Sequence, residues 1–201
     1  MSKRCVNGQL GPSVTSSLFT ITVSAPQLLE DQLPLEASGV VGAAGIWGGF
    51  IVGPGITGPQ TFCPLTPASS CPPGIQTVFD GTSMDVQVPG GQAVYIAANG
   101  ALSISTPHSA LFPPGSLLSG FGPSGGEFVY TGGPGTFAGS GWIGCPVPVQ
   151  DFSPPLNFIL QIFANISTHP TRSASGVPFV CEDVTLLLDL YTGGFGAWQY
   201  D

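Results

Sequence analysis

The chain has 201 residues, of which only 7% are charged, and a formal net charge of −8. Its cations are Lys3, Arg4 and Arg172, so no basic patch exists to neutralise phosphates. That excludes nucleic-acid binding and attachment to anionic membrane surfaces. Glycine and proline make up about a quarter of the chain, which by itself would suggest disorder. The 13 phenylalanines and a 42% hydrophobic fraction point instead to a folded chain with many turns.

Residues 1–16 read as an extended N-terminal arm, polar and broken by Gly8, Gly11 and Pro12. Met1 to Cys5 resembles the start of an export signal, but no apolar stretch of about 7–15 residues follows. Synthesis in a cytoplasm without export is the resulting expectation. The remainder, 17–201, reads as one β domain. Leu18 to Ala25 alternates and is rich in β-branched residues, which predicts a strand. Gln27 to Ala37 fits either one helical turn or an extended connection. Val40 to Val52 is apolar and glycine-laced, consistent with a buried strand or strand pair. Residues 53–74 hold six prolines and predict a long surface loop.

Ile75 to Phe79 predicts a strand, Asp80-Gly81 a turn, and Met84, Val86 and Val88 a half-buried strand. Ala93 to Ala97 and Ala101 to Ser105 flank Asn99-Gly100, the sequence of a tight type I′ hairpin, with Tyr95 opposite Ile104. Residues 106–126 read as loop, and Glu127 to Thr131 and Thr136 to Ile143 as short strands. Leu156 to Ile166 alternates, with Leu156, Phe158, Leu160, Ile162, Ala164 and Ile166 on one face and Asn157, Gln161 and Asn165 on the other, and Phe179 to Tyr191 predicts another long strand. No segment keeps helical periodicity over three turns. The fold expected is all-β, an antiparallel sandwich or barrel, jelly-roll-like, with long loops at 53–74 and 106–126.

No catalytic constellation stands out. His108 and His169 lie beside prolines in loops, and no nucleophile elbow, zinc-protease motif or P-loop occurs. Glu182 and Asp183 are adjacent on a strand and point to opposite faces. Asp85 and Glu127 could form a pair only through the fold. No calcium loop is present, so no cofactor, metal or enzymatic activity is expected. Five cysteines, an odd number in a chain read as unexported, favour free thiols, with Cys63–Cys71 the pair a disulfide would close. Asn165-Ile-Ser167 matches the N-glycosylation sequon but, in a strand of a chain read as unexported, is taken as chance.

Val88-Pro-Gly-Gly-Gln-Ala-Val-Tyr-Ile-Ala-Ala-Asn-Gly-Ala-Leu-Ser103 resembles a turn–strand–turn–strand phrase of capsid cement and decoration proteins of tailed bacteriophages. The resemblance implies a non-catalytic virion protein that stabilises a viral shell, made in the host cytoplasm. Its partners would be the major capsid protein or its own copies, as a homo-oligomer such as a trimer. Assembly contacts would come from Cys5 and Val14 in the arm, Phe62 and Leu65 in the 53–74 loop, and Phe195, Trp198 and Tyr200 in the tail. Two other readings fit the composition: a self-polymerising fibre, appendage or spore-surface subunit, and a carbohydrate- or receptor-binding module using Trp47, Trp142 or Trp198.

Overall fold

Alternation between buried and half-buried residues along Leu18–Ser24 sets the pattern of the fold: Phe19, Ile21 and Val23 point inward, and Thr20, Thr22 and Ser24 outward. The structure is a computed structural model, describing residues 5–6, 9–10, 18–25, 32–38, 48–53, 56, 58–109, 111–147, 159–167 and 181–200. In chain order its strands are β1 (Cys5–Val6), β2 (Gln9–Leu10), β3 (Leu18–Ser24), β4 (Leu33–Pro34), β5 (Glu36–Ser38), β6 (Gly48–Val52), β7 (Thr61–Phe62), β8 (Phe79–Asp80) and β9 (Ser83–Met84). There follow β10 (Val94–Ile96), β11 (Leu102–Ile104), β12 (Phe121–Ser124), β13 (Glu127–Tyr130), β14 (Gly139–Val147), β15 (Ile159–Ile166), β16 (Glu182–Leu190) and β17 (Gln199–Tyr200).

The fold is all-β and antiparallel, as expected, and a sandwich describes it. Its main path runs β10-β11-β6-β15-β14-β16-β3-β8-β9. Strand β16 belongs to both layers: Glu182, Asp183 and Val184 pair with β14, and Thr185 to Leu190 pair with β3. The two ends of the path also meet. Met84 N–H donates to Gln92 O at 2.9 Å and Val94 N–H to Thr82 O at 3.0 Å, so β9 runs beside β10 and the path closes on itself. Side strands β12 and β13 form a hairpin that docks on β16.

The main core lies between the layers. Phe79 sits at its centre, with ring centroids 5.6 Å from Phe19, 5.4 Å from Phe50 and 6.0 Å from Phe128. Trp142 stacks on Phe128 and donates its indole N–H to Phe128 O at 2.6 Å. A second, smaller core covers the outer face of β10, β14 and β15, built from Tyr95, Ile143, Cys145 and Phe163 under Phe112. The alternation expected along this strand is corrected: Ile159–Ala164 is buried on both faces, Gln161 included, and residues 156–158 lie outside the described residues.

The 93–105 hairpin forms, but with a different turn. Tyr95 lies opposite Ser103, and Ile104 opposite Val94. Ala97 N–H donates to Ala101 O, and Gly100 N–H to Ala97 O, so three residues close the loop where two were expected. Gly100 has φ +90° while Asn99 is not among the positive-φ residues. This is the type I turn with a glycine bulge, which shifts pairing by one residue relative to a type I′ turn. Other differences are smaller. Residues 33–38 are extended, and 26–31, where the helical turn would lie, fall outside the described residues. The expected 75–79 strand is reduced to Phe79–Asp80, Gly135–Phe137 is a 3-10 turn, and Phe121–Ser124 pairs as a strand inside the expected 106–126 loop.

That last hairpin depends on Gly120. Its φ is +82°, and a Cβ there would lie 2.1 Å from the carbonyl oxygen of Gly132. Gly120→Ala is expected to cost more than about 2 kcal/mol, adding steric displacement of a backbone carbonyl to the left-handed penalty. Urea denaturation of the variant measures it; a loss below about 0.5 kcal/mol would show that the turn relaxes freely.

Candidate functional site

The C-terminal tail is threaded through the molecule. Strand β17 pairs with β7, placing Gln199 opposite Phe62 and Tyr200 opposite Thr61. On its other side, Gln87 N–H donates to Ala197 O and Val88 N–H to Trp198 O. The 83–92 segment and the 58–78 loop therefore grip residues 196–200 between them.

Polar groups buried under this clamp are matched one to another. Tyr200 is fully enclosed; its hydroxyl accepts from Val78 N–H and donates to Gln76 O, both at 2.9 Å. Gln92 donates to Tyr200 O at 2.9 Å and accepts from Tyr200 N–H at 2.7 Å. Asp85 accepts from Gly196 N–H at 2.9 Å. Glu36, only 3% exposed, accepts from both the N–H and the hydroxyl of Thr77, at 3.0 and 2.6 Å. Burial pushes the Tyr200 phenol far above its usual range. It also raises the carboxyls of Glu36 and Asp85, and the hydrogen bonds from Thr77 and Gly196 only partly offset this.

Glu36 and Asp189 line one cleft of about 260 Å³ together with Thr20, Thr22 and Gln76. Two carboxylates in a cleft would suit general acid–base chemistry if both were free to reach a substrate. Here Glu36 Oε2 is held by Thr77, and Asp189 accepts from the Thr22 hydroxyl at 2.6 Å. Asp85 is likewise engaged by Gly196, and Glu127 lies at the β12–β13 turn opposite Leu187. These groups fasten segments to one another.

The raised carboxyl values carry a pH dependence. A folded state that holds its protons more tightly than the unfolded chain is most stable where those protons are bound, and loses that contribution as pH rises through the raised values. Stability is expected to be greater near pH 4, about the ordinary carboxylate value, than at pH 7.5. Guanidinium midpoints at the two pH values test this, and Glu36→Gln is expected to narrow the difference. A midpoint that rises toward neutral pH in the wild type would contradict it.

The outer surface of the clamp is apolar. Phe62, Ile75 and Phe195 are 51%, 67% and 49% exposed. Gly74 N–H donates to Gly196 O at 3.0 Å, and Gly74 packs against Thr61, so the three side chains leave adjoining stretches of backbone. The Cys63–Cys71 disulfide closes the loop directly after Phe62. Leu65 and Trp198 are half-buried.

Of the expected contact residues, Phe62 and Phe195 thus lie on one exposed corner, Leu65 and Trp198 are half-buried, and Tyr200 is spent inside the chain's own core. The side chain of Cys5, and Val14 altogether, fall outside the described residues, as does Trp47. Trp142 is in the core, 3% exposed, and so offers no ring to a ligand. Sequence reasoning missed Ile75, Glu36 and Thr77, because only the fold brings 36, 61–62, 74–77 and 195–200 together. The expectation of free thiols is also corrected: Cys63–Cys71 and Cys145–Cys181 are both disulfides. Counting an odd cysteine against a framework overlooked that one cysteine can remain outside two pairs.

No described protein family's profile matches the chain, and no solved structure matches it. An uncharacterized secreted protein of the fungus Arthroderma benhamiae is 35% identical over 177 residues, covering 85% of this chain and 78% of the relative. Kinship with a secreted fungal protein overturns the reading as a phage capsid cement protein made in a host cytoplasm. The Val88–Ser103 phrase that suggested it is hairpin grammar, which unrelated β proteins share. The chain belongs to the family of this secreted fungal protein.

Proposed function

We propose that the chain is an exported, disulfide-braced, non-catalytic structural protein of an extracellular layer, joining copies of itself through the clamp corner. Export is supported by the secreted relative and by two disulfides, bonds that persist in oxidising compartments. A non-catalytic role is supported by the use of Glu36, Asp85 and Tyr200 as internal fasteners.

The corner carries the reading. No charged residue occurs between Glu36 and Asp80, nor between Asp189 and Asp201, the two stretches that build it. Two chains of net charge −8 repel one another wherever their acids approach. Phe62, Ile75 and Phe195 leave stretches without charge, and the neighbouring Asp85 carboxylate is engaged by Gly196 N–H, so copies meeting there face less of that cost, and burying apolar area contributes roughly 25 cal/mol per Å².

Sedimentation equilibrium over a rising concentration series tests it, comparing wild type with the triple variant Phe62→Ser, Ile75→Ser, Phe195→Ser. The wild type is expected to associate and the variant to stay monomeric, with unchanged circular dichroism. A wild type that remains monomeric, or a variant that associates equally, overturns the proposal. Retention of monomeric wild type on an insoluble polysaccharide, lost in the variant, would reassign the corner to sugar binding.

A further inference from the structure

We propose that Asn165 carries an N-linked oligosaccharide. Asn165-Ile-Ser167 is the only Asn-x-Ser/Thr sequence in the chain, and its middle residue is not proline. Dismissing it rested on its place in a strand, which Asn165 in β15 keeps, and on the absence of export; the inference therefore rests on the exported reading above. The structure supplies the second condition, room. Asn165 and Ser167 are exposed, while Ile166 between them is 2% exposed and anchors the strand end in the core.

Across from Asn165 the partner strand is irregular. Gly139 pairs with Ile166 and Trp142 with Ala164, so Ser140 and Gly141 bulge outward opposite Asn165. All of Gly139, Ser140 and Gly141 are exposed, and two of the three carry no side chain to crowd a sugar. The end of β15 thus exposes Asn165 at the surface beside this irregularity and not within a packed face. Attachment needs a lipid diphosphate-linked oligosaccharide as donor. The carboxamide nitrogen forms the bond to the anomeric carbon as the bond to the diphosphate oxygen breaks, and the nitrogen gives up one proton. A hydrated glycan there would add polar surface to a chain with only 7% charged residues.

The test is secretion of the full chain behind a leader from a eukaryotic host, as wild type, Asn165→Gln, Ser167→Ala and Ser167→Thr. Intact mass is read before and after peptide-N-glycosidase, with free-thiol titration of the same samples. The wild type and Ser167→Thr are expected to carry extra mass that the amidase removes, leaving Asp at 165; Asn165→Gln and Ser167→Ala are expected to lack it. An oxidised, secreted wild type with its bare mass overturns the inference while leaving export standing, as does extra mass that survives in Asn165→Gln. A product that stays inside the cell with reduced thiols overturns the export reading and this inference with it.

Discussion

Tyr200→Ala is expected to lower stability by about 4 kcal/mol or more, the largest effect of any single substitution near the chain's end. Removing a large buried ring typically costs about 3–5 kcal/mol through lost transfer energy and the cavity left behind. The hydroxyl also satisfies Val78 N–H and Gln76 O, and a buried polar group left without its partner costs about 1–3 kcal/mol. Part of that second cost is recovered if water enters the cavity, so the two do not simply add. Tyr200→Phe isolates the hydroxyl and is expected to cost about 1–2 kcal/mol. Guanidinium denaturation followed by tryptophan fluorescence reads both. A Tyr200→Ala variant within about 1 kcal/mol of wild type would mean that the tail is a detachable appendage and not part of the core.

Loss of the Cys145–Cys181 disulfide is expected to be the second largest effect, about 4 kcal/mol, against about 2.5 kcal/mol for Cys63–Cys71. The difference follows from loop closure: the bridges span sequence separations of 36 and 8, and the longer loop removes more freedom from the unfolded chain. Location reinforces the order. Cys145 lies in the second core with Phe163, Ile143 and Tyr95, and the bridge ties β14 to the start of β16, the strand shared by both layers. Cys63–Cys71 braces a surface loop beside the apolar corner. Alanine pairs at each site avoid placing a hydroxyl in the core. If Cys63→Ala/Cys71→Ala proved the more damaging, the loop would be a structural keystone and the order of importance would reverse.

Much of the architecture is legible in the sequence because strand periodicity and turn chemistry are local. The alternation of Leu18 to Ala25 and the long strands ending near Ile166 and Leu190 needed no knowledge of partners. The one-residue error at Asn99-Gly100 shows the limit: the dipeptide suits either a two-residue loop or the bulged three-residue loop, and only pairing with the rest of the sheet decides. Phe121–Ser124 was hidden by Pro123 and Gly122, which weaken strand signals but are tolerated in a side strand. The clamp was not legible at all. Glu36, Thr77, Gln92 and Tyr200 are ordinary residues in sequence, and their hydrogen bonds span separations of 41 and 108 residues. The thiol reading failed because it leaned on the compartment and on an odd count, and neither says which cysteines the fold brings together.

The closure of the main path on itself bears on how copies of this chain can meet. A sheet with open ends presents a row of unpaired N–H and C=O groups, a template on which another chain can add as a strand. Here the ends, β9 and β10, are spent on each other through the Ser83–Ala93 bridge. Side strand β12, which lies outside the circuit, carries Pro123, whose nitrogen has no hydrogen to donate. At these two places the self-association proposed above would find no free strand edge to extend and would rest on side chains of preformed surfaces. The layer proposed above, if built that way, would gain and release subunits as folded units, without backbone exchange and without passing through the cross-β state in which crowded β proteins become trapped.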